Sequence, residues 1–245
     1  MAQSIRHLGL LAVLLTAPVV ADTEPATGQG RVLAFTVFSP EPMPKLAYEP
    51  QAGTEPRTLV LHPTARSAPG VYRGPDPLRI YDAPTGALMA EATVPPHIRR
   101  ALLVLLTGNQ PGATAPLRVW VIDDDPARHA VGELRLLNAS GLTLEGTVNR
   151  RRVAVPVQAD LRWALKPAAE IQLRTSFQGR SYRAFADTIR LEPAERALLL
   201  LLPPYQPGAL EVQSRLLRDM PTQAQRSGFA AGRPGLLLTR GPSSE

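Results

Sequence analysis

The feature that most constrains this chain is that it resembles itself. Residues 101–111 read ALLVLLTGNQP and residues 197–207 read ALLLLLPPYQP. Each run follows an arginine, Arg100 or Arg196, and precedes a glycine, Gly112 or Gly208. Each then leads into a second apolar stretch, Leu117–Asp123 or Val212–Asp219. Upstream, Glu91-Ala-Thr-Val answers to Asp187-Thr-Ile-Arg, and Leu46-Ala-Tyr-Glu49 to Leu142-Thr-Leu-Glu145. Nearer the N-terminus the offset grows, and Arg31–Ser39 aligns with Glu133–Ser140. An offset near 96 residues is the size of a domain, too long for a solenoid unit. The expectation is one folding unit present twice.

The unit is expected to be all-β. Twenty-six prolines spread along the chain forbid long helices, because proline breaks a helix interior. Short apolar segments recur about every ten residues between Pro, Gly and polar turns, the rhythm of a β-sandwich. In the first copy the expected strands are 31–39, 45–49, 58–62, 78–82, 88–94, 101–107 and 117–123. In the second they are 133–138, 142–148, 151–157, 171–176, 182–191, 197–202 and 212–218. Ala83-Pro-Thr-Gly86 and Phe177-Gln-Gly-Arg180 are hairpin turns, with Gly supplying positive φ. Leu102–Leu106 and Leu198–Leu202 lack alternation, which fits a central strand covered on both faces. A buried helix is the rival, but Pro203-Pro204 would stop it after two turns.

The first 21 residues read as a signal peptide. Arg6 and His7 precede the apolar run Leu8–Val20, and Val19 and Ala21 form a small-residue cleavage site. That run is shorter than the roughly 20 residues a membrane span needs. Residues 22–29 then form a flexible N-terminus, 30–125 and 130–219 the two sandwich domains, and 220–245 a disordered tail rich in Gly, Arg, Ser, Pro and Gln. Gly235-Leu-Leu-Leu-Thr239 is a stray strand candidate within that tail. The polar segment Asp124–His129 links the domains. No integral membrane segment is expected in the mature chain.

The chain has no cysteine, which removes disulfides, thiolate catalysis and Cys-ligated zinc. Its formal charge of +6 is carried almost wholly by arginine, with only Lys45 and Lys166 as lysines. One tight basic cluster, Arg150, Arg151 and Arg152, follows Asn149 at an expected hairpin turn. A turn cluster is usually just solvated; the functional reading is an anionic partner. Nucleic acid is disfavoured, since no aromatic array for base stacking accompanies the arginines. His62, His97 and His129 are far apart without metal-ligand spacing, and Asp123-Asp-Asp125 lacks a calcium-loop pattern. No GxSxG motif or Gly-rich phosphate loop is present. No catalytic, cofactor or metal residue is therefore assigned. For a sugar platform the candidates are Trp120 and Trp163, with Tyr72, Tyr81, Tyr182 and Tyr205. Trp120, inside Val119-Trp-Val121-Ile122, is expected in a core; Trp163 is open to either reading.

The leader, the repeated ALLVLL and ALLLLL strands with their Gln-Pro-Gly, and the strand rhythm resemble bacterial envelope proteins built from tandem immunoglobulin-like β-sandwiches. Periplasmic pilus chaperones share the size and basic charge, but their alternating last-strand segment with basic anchors is missing, so no site is carried over from them. The resemblance implies a periplasmic or secreted, non-enzymatic binding or assembly protein whose partner is an envelope protein or a glycan. A carbohydrate-binding module is the alternative. Fold alone does not choose between them.

Overall fold

The computed structural model describes residues 30–108, 115–165 and 168–219. The leader, the segment 22–29, the tail 220–245 and the first Gln-Pro-Gly turn lie outside the described residues. Among those described there are sixteen β-strands and no helix. None of the described residues forms a helix long and apolar enough to cross a membrane.

The first half contains β1 (Arg31–Phe38), β2 (Leu46–Tyr48), β3 (Arg57–Leu59), β4 (Gly70–Gly74), β5 (Leu78–Asp82), β6 (Leu88–Ala92), β7 (Arg100–Thr107) and β8 (Leu117–Asp123). The second contains β9 (Glu133–Asn138), β10 (Leu144–Val148), β11 (Arg151–Val155), β12 (Asp160–Ala164), β13 (Ala168–Phe177), β14 (Arg180–Arg190), β15 (Arg196–Leu202) and β16 (Gln213–Asp219). They form four four-stranded sheets in two pairs. The first pair has orders β4-β1-β7-β8 and β3-β2-β5-β6; the second has β12-β9-β15-β16 and β11-β10-β13-β14. Strand for strand the two orders are the same. In each half the first and seventh strands run parallel and every other pairing is antiparallel.

Each half thus has eight strands, one more than expected. The additions, β4 and β12, are edge strands that pair with β1 and β9. Register also corrects the sequence alignment. Phe35 pairs with Ala101 and Leu134 with Ala197, so Ser39 corresponds to Asn138 rather than to Ser140. Likewise Ala47, beside Tyr81, answers to Glu145, beside Arg174, so β2 opens at Leu46 where β10 opens at Leu144.

Three apolar layers hold the four sheets together. One lies inside the first pair, around Leu33, Phe35, Leu46, Ile80 and Leu103. A second lies inside the second pair, around Leu134, Leu144, Ile171, Leu173 and Leu199. The third joins the halves. Phe38, Leu102, Val104, Leu106 and Ile122 pack on Leu137, Leu198, Leu200, Leu202 and Leu217, with Trp120 partly buried against them. The layers explain the leucine runs. Side chains of a strand alternate between faces. Leu103 and Leu105 therefore enter the first core while Leu102, Val104 and Leu106 enter the shared layer. Apart from their terminal polar residues β7 and β15 are apolar because neither of their faces meets water there. Each of these side chains contributes about 1.5–3 kcal/mol by burial. The segment between the halves is part of this junction: Asp124 and His129 are buried, not solvated as a loose connector would be.

Candidate functional site

With the middle two sheets facing each other, the exposed surfaces are the outer faces of β3-β2-β5-β6 and β11-β10-β13-β14, and the loop ends. At one end of the second half the loops are knit by a single side chain. Asn138, fully buried, donates from Nδ2 to the carbonyls of Leu142, Val155 and Pro156 at 2.9–3.0 Å. Its Oδ1 accepts from the Ser140 amide at 3.1 Å and hydroxyl at 2.6 Å. Thr175 Oγ1 donates to the Thr143 carbonyl at 3.0 Å, fixing β13 where it passes the same loop. Leu201 of β15 lies beside Asn138, so the β15–β16 loop leaves the sheet at this end too.

Four large apolar side chains stand exposed at this end. They are Val157 after β11, Phe177 and Tyr182 flanking the β13–β14 turn, and Tyr205 between β15 and β16, which is 86 % exposed. The other four exposed large apolar residues among those described are scattered valines. The β13–β14 hairpin makes this end project. Its strands have 10 and 11 residues, against 5 and 5 in β5 and β6. Gln178 and Gly179 both take positive φ, 49° and 73°, as a two-residue turn matched to strand twist demands. A depression of about 330 Å³ lies beside Tyr205, lined by Gln206, Glu211, Val212 and Gln213.

The outer face of the same sheet is basic. Residues 144–155 and 168–190 carry seven arginines against Glu145, Glu170 and Asp187. The expected arginine cluster is here but does not act as one group. Asn149 and Arg150 form the β10–β11 turn at φ 48° and 64°. Arg152 stands on the outer face, opposite Thr147, because Val153 and Val155 beside it turn to the core. Two residues that sequence reasoning missed join it there. Arg174 of β13 lies directly across from Arg183 of β14. A register shift puts them opposite: Leu173 pairs with Phe185, but Arg174 pairs with Arg183, and Ala184 is passed over. Without this bulge Arg183 would face inward beside Thr175.

Tyr72 is buried and donates to the Pro75 carbonyl at 2.6 Å; burial, with Asp76 nearby, pushes its phenol up. Tyr81 is half-buried beside a depression of about 180 Å³ that Glu49, Asp76 and Arg79 also line. Trp163 is half-buried against the second core, and Trp120 against the shared layer. His62 and His97 are exposed and apart. In the Asp run, Asp123 and Asp125 accept backbone amides of the turn, at 3.1 Å from Asp125 and 2.9 Å from Ala127.

The strongest gathering of charges lies at the junction of the halves. Arg66 reaches Asp124 at 2.5 Å and Asp219 at 2.9 Å, and Arg196 lies 3.4 Å from Asp219 and 3.9 Å from Asp124. Burial pushes Asp219 above its ordinary range, ahead of the downward pull of Arg66 and Arg196. Burial likewise lowers Arg196 against the pull of Asp124 and Asp219. Two cations and two anions neutralise each other, so this cluster binds the halves together. Among the described residues no three His, Cys, Asp or Glu side chains converge as a metal site would require. In comparisons of sequence, no protein-family model and no curated protein matches this chain.

Proposed function

We propose that this chain is an exported, non-enzymatic binding or adaptor protein of the bacterial cell envelope, acting in the periplasm or outside the cell. It holds a protein partner at the loop end of its second half. The observation that carries the reading is the exposure of Val157, Phe177, Tyr182 and Tyr205 at one end of the second half, where Asn138 braces the loop that bears Val157. Large aromatics on rigid supports are the usual anchors of protein interfaces. Each sheet pair is read as an immunoglobulin-like sandwich, and the two as copies of one ancestral unit. The matched strand orders support duplication. The parallel first and seventh strands depart from the antiparallel sheets of the immunoglobulin pattern. The leader-like N-terminus and the absence of cysteine support export into a bacterial envelope.

The test is a photo-crosslinking phenylalanine analogue placed at Tyr205 or Tyr182 in growing cells. One discrete protein adduct is expected from each position and none from Val60, which is also exposed but lies in the first half. Absence of an adduct, or the same adducts from all three, contradicts the reading. The alternative, a carbohydrate-binding module, loses support at Trp163, whose side chain is half-buried against the second core. What favours a sugar is a different surface.

A further inference from the structure

We propose that the outer face of β11-β10-β13-β14 is a binding site for an acidic carbohydrate, a hydroxyl-rich ring bearing a carboxylate, seated between Arg174 and Arg183. The two arginines are directly opposed on neighbouring strands, and neither forms an ion pair among the described residues. Like charges so placed repel, and a bound anion removes the penalty. Arg174 is already held: its Nε donates to Ser181 Oγ at 2.8 Å and its Nη2 to the Ser181 carbonyl at 3.3 Å. That leaves the outer edge of a planar fork, whose geometry suits a carboxylate.

Beside this pair the surface dips by about 300 Å³, at the small end of the range for small-ligand sites. Thr147, Gln172 and the short side chain of Ala186 line it, one row along from the arginines. A hydroxyl and an amide at that spacing are the donors and acceptors that sugar hydroxyls require. The close contact of β10 and β13 beneath needs glycine at 146, where a Cβ would lie 1.9 Å from the Gln172 carbonyl oxygen.

The first half shows that this is a site added to a scaffold. β5 and β6 have a register shift at the matching place, but there the opposed pair is Tyr81 and Leu88. The same bulge that presents two cations in the second half presents two apolar residues in the first. Other anionic partners fit the face less well. It lacks outward aromatics to stack nucleobases and apolar side chains to enter a lipid surface. Glu145 and Glu170 on it would repel a continuous polyanion. The apolar anchors of a protein interface are at the loop end, not here.

The inference is independent of the docking reading, and the experiment separates them. The full chain is titrated calorimetrically with monomeric galacturonic acid, neutral galactose and a short oligothymidylate. The acidic sugar is expected to bind, with the neutral one and the oligothymidylate at least about tenfold weaker. Arg174→Ala and Arg183→Ala should each weaken the acidic sugar about tenfold, as loss of one charge-assisted hydrogen bond does. Arg190→Ala, also exposed on β14, should leave it unchanged. Absence of binding, equal binding of the neutral sugar, tighter binding of the oligonucleotide, or an equal loss from Arg190→Ala overturns the proposal. The Tyr205 adduct is expected to survive Arg174→Ala. Sugar binding lost with the adduct kept places the effect at this face alone.

Discussion

Arg66 and Asp124, 58 residues apart in the chain, meet at 2.5 Å where the two sheet pairs join. Arg66 comes from the β3–β4 loop of the first half and also reaches Asp219 at the end of β16 in the second. Its side chain is therefore a strut between halves. Arg66→Ala leaves Asp124 buried with only Arg196 at 3.9 Å, and should cost about 3 kcal/mol in urea unfolding. Arg66→Met with Asp124→Leu should cost less than Arg66→Ala alone, because no charge is then stranded. A single substitution that costs nothing would show the pair to be solvated.

Burial, helped by Arg196, holds the His129 imidazole down to about 4, while its hydrogen bond to the Glu133 carbonyl pulls the other way. The unfolded chain takes up this proton near pH 6.5. The contribution of His129 is thus complete above pH 6.5 and declines by about 3 kcal/mol as pH falls from 6.5 to 4. Asp219 acts oppositely. Its carboxyl is raised above the ordinary 3.8, so its contribution is greatest below that value and is lost as pH rises through its folded pKa. His129→Gln, which keeps a donor for Glu133, should flatten the decline between pH 6.5 and 4. An unchanged profile in that variant would assign the decline elsewhere.

At corresponding ends of β1 and β9, Ser39 and Asn138 do jobs of different size. Ser39 Oγ donates to the Glu41 carbonyl at 2.8 Å and accepts from its amide at 3.3 Å, bracing one short turn. Asn138 braces two loops through five contacts. Asn138→Ala should cost about 3 kcal/mol or more, since several buried carbonyls lose their donor at once. It should also loosen the Val157 loop, read as faster amide exchange there. Ser39→Ala should cost about 1 kcal/mol.

The parts of this fold legible in the sequence are those whose burial is extreme. The Leu102–Leu106 and Leu198–Leu202 runs announced strands covered on both faces, and the shared layer is why. β4 and β12 were not legible. Each is five residues at a sheet edge, where Gly-Val-Tyr-Arg-Gly and Asp-Leu-Arg-Trp-Ala give too few apolar positions to mark a strand. The sequence alignment of Ser39 with Ser140 followed residue type, whereas hydrogen-bond register follows the β7 and β15 partners. At the basic face, the Arg150–Arg152 turn was visible because its residues are consecutive. Arg174 and Arg183 were not, because their meeting depends on one passed-over residue, Ala184, whose carbonyl accepts from the Val212 amide at 3.0 Å.

The account depends most on the third apolar layer, which makes one body of two sheet pairs. The chain has two tryptophans, Trp120 against the shared layer in the first half and Trp163 against the second core. Trp163→Phe and Trp120→Phe therefore leave one fluorescent reporter in each half. In urea, each reporter should lose its signal together with the far-ultraviolet dichroism of the same variant, in one transition. A Trp120 transition well separated from the dichroism of its own variant, or two resolved steps in either, would mean that the halves unfold independently and that the shared layer does not bind them.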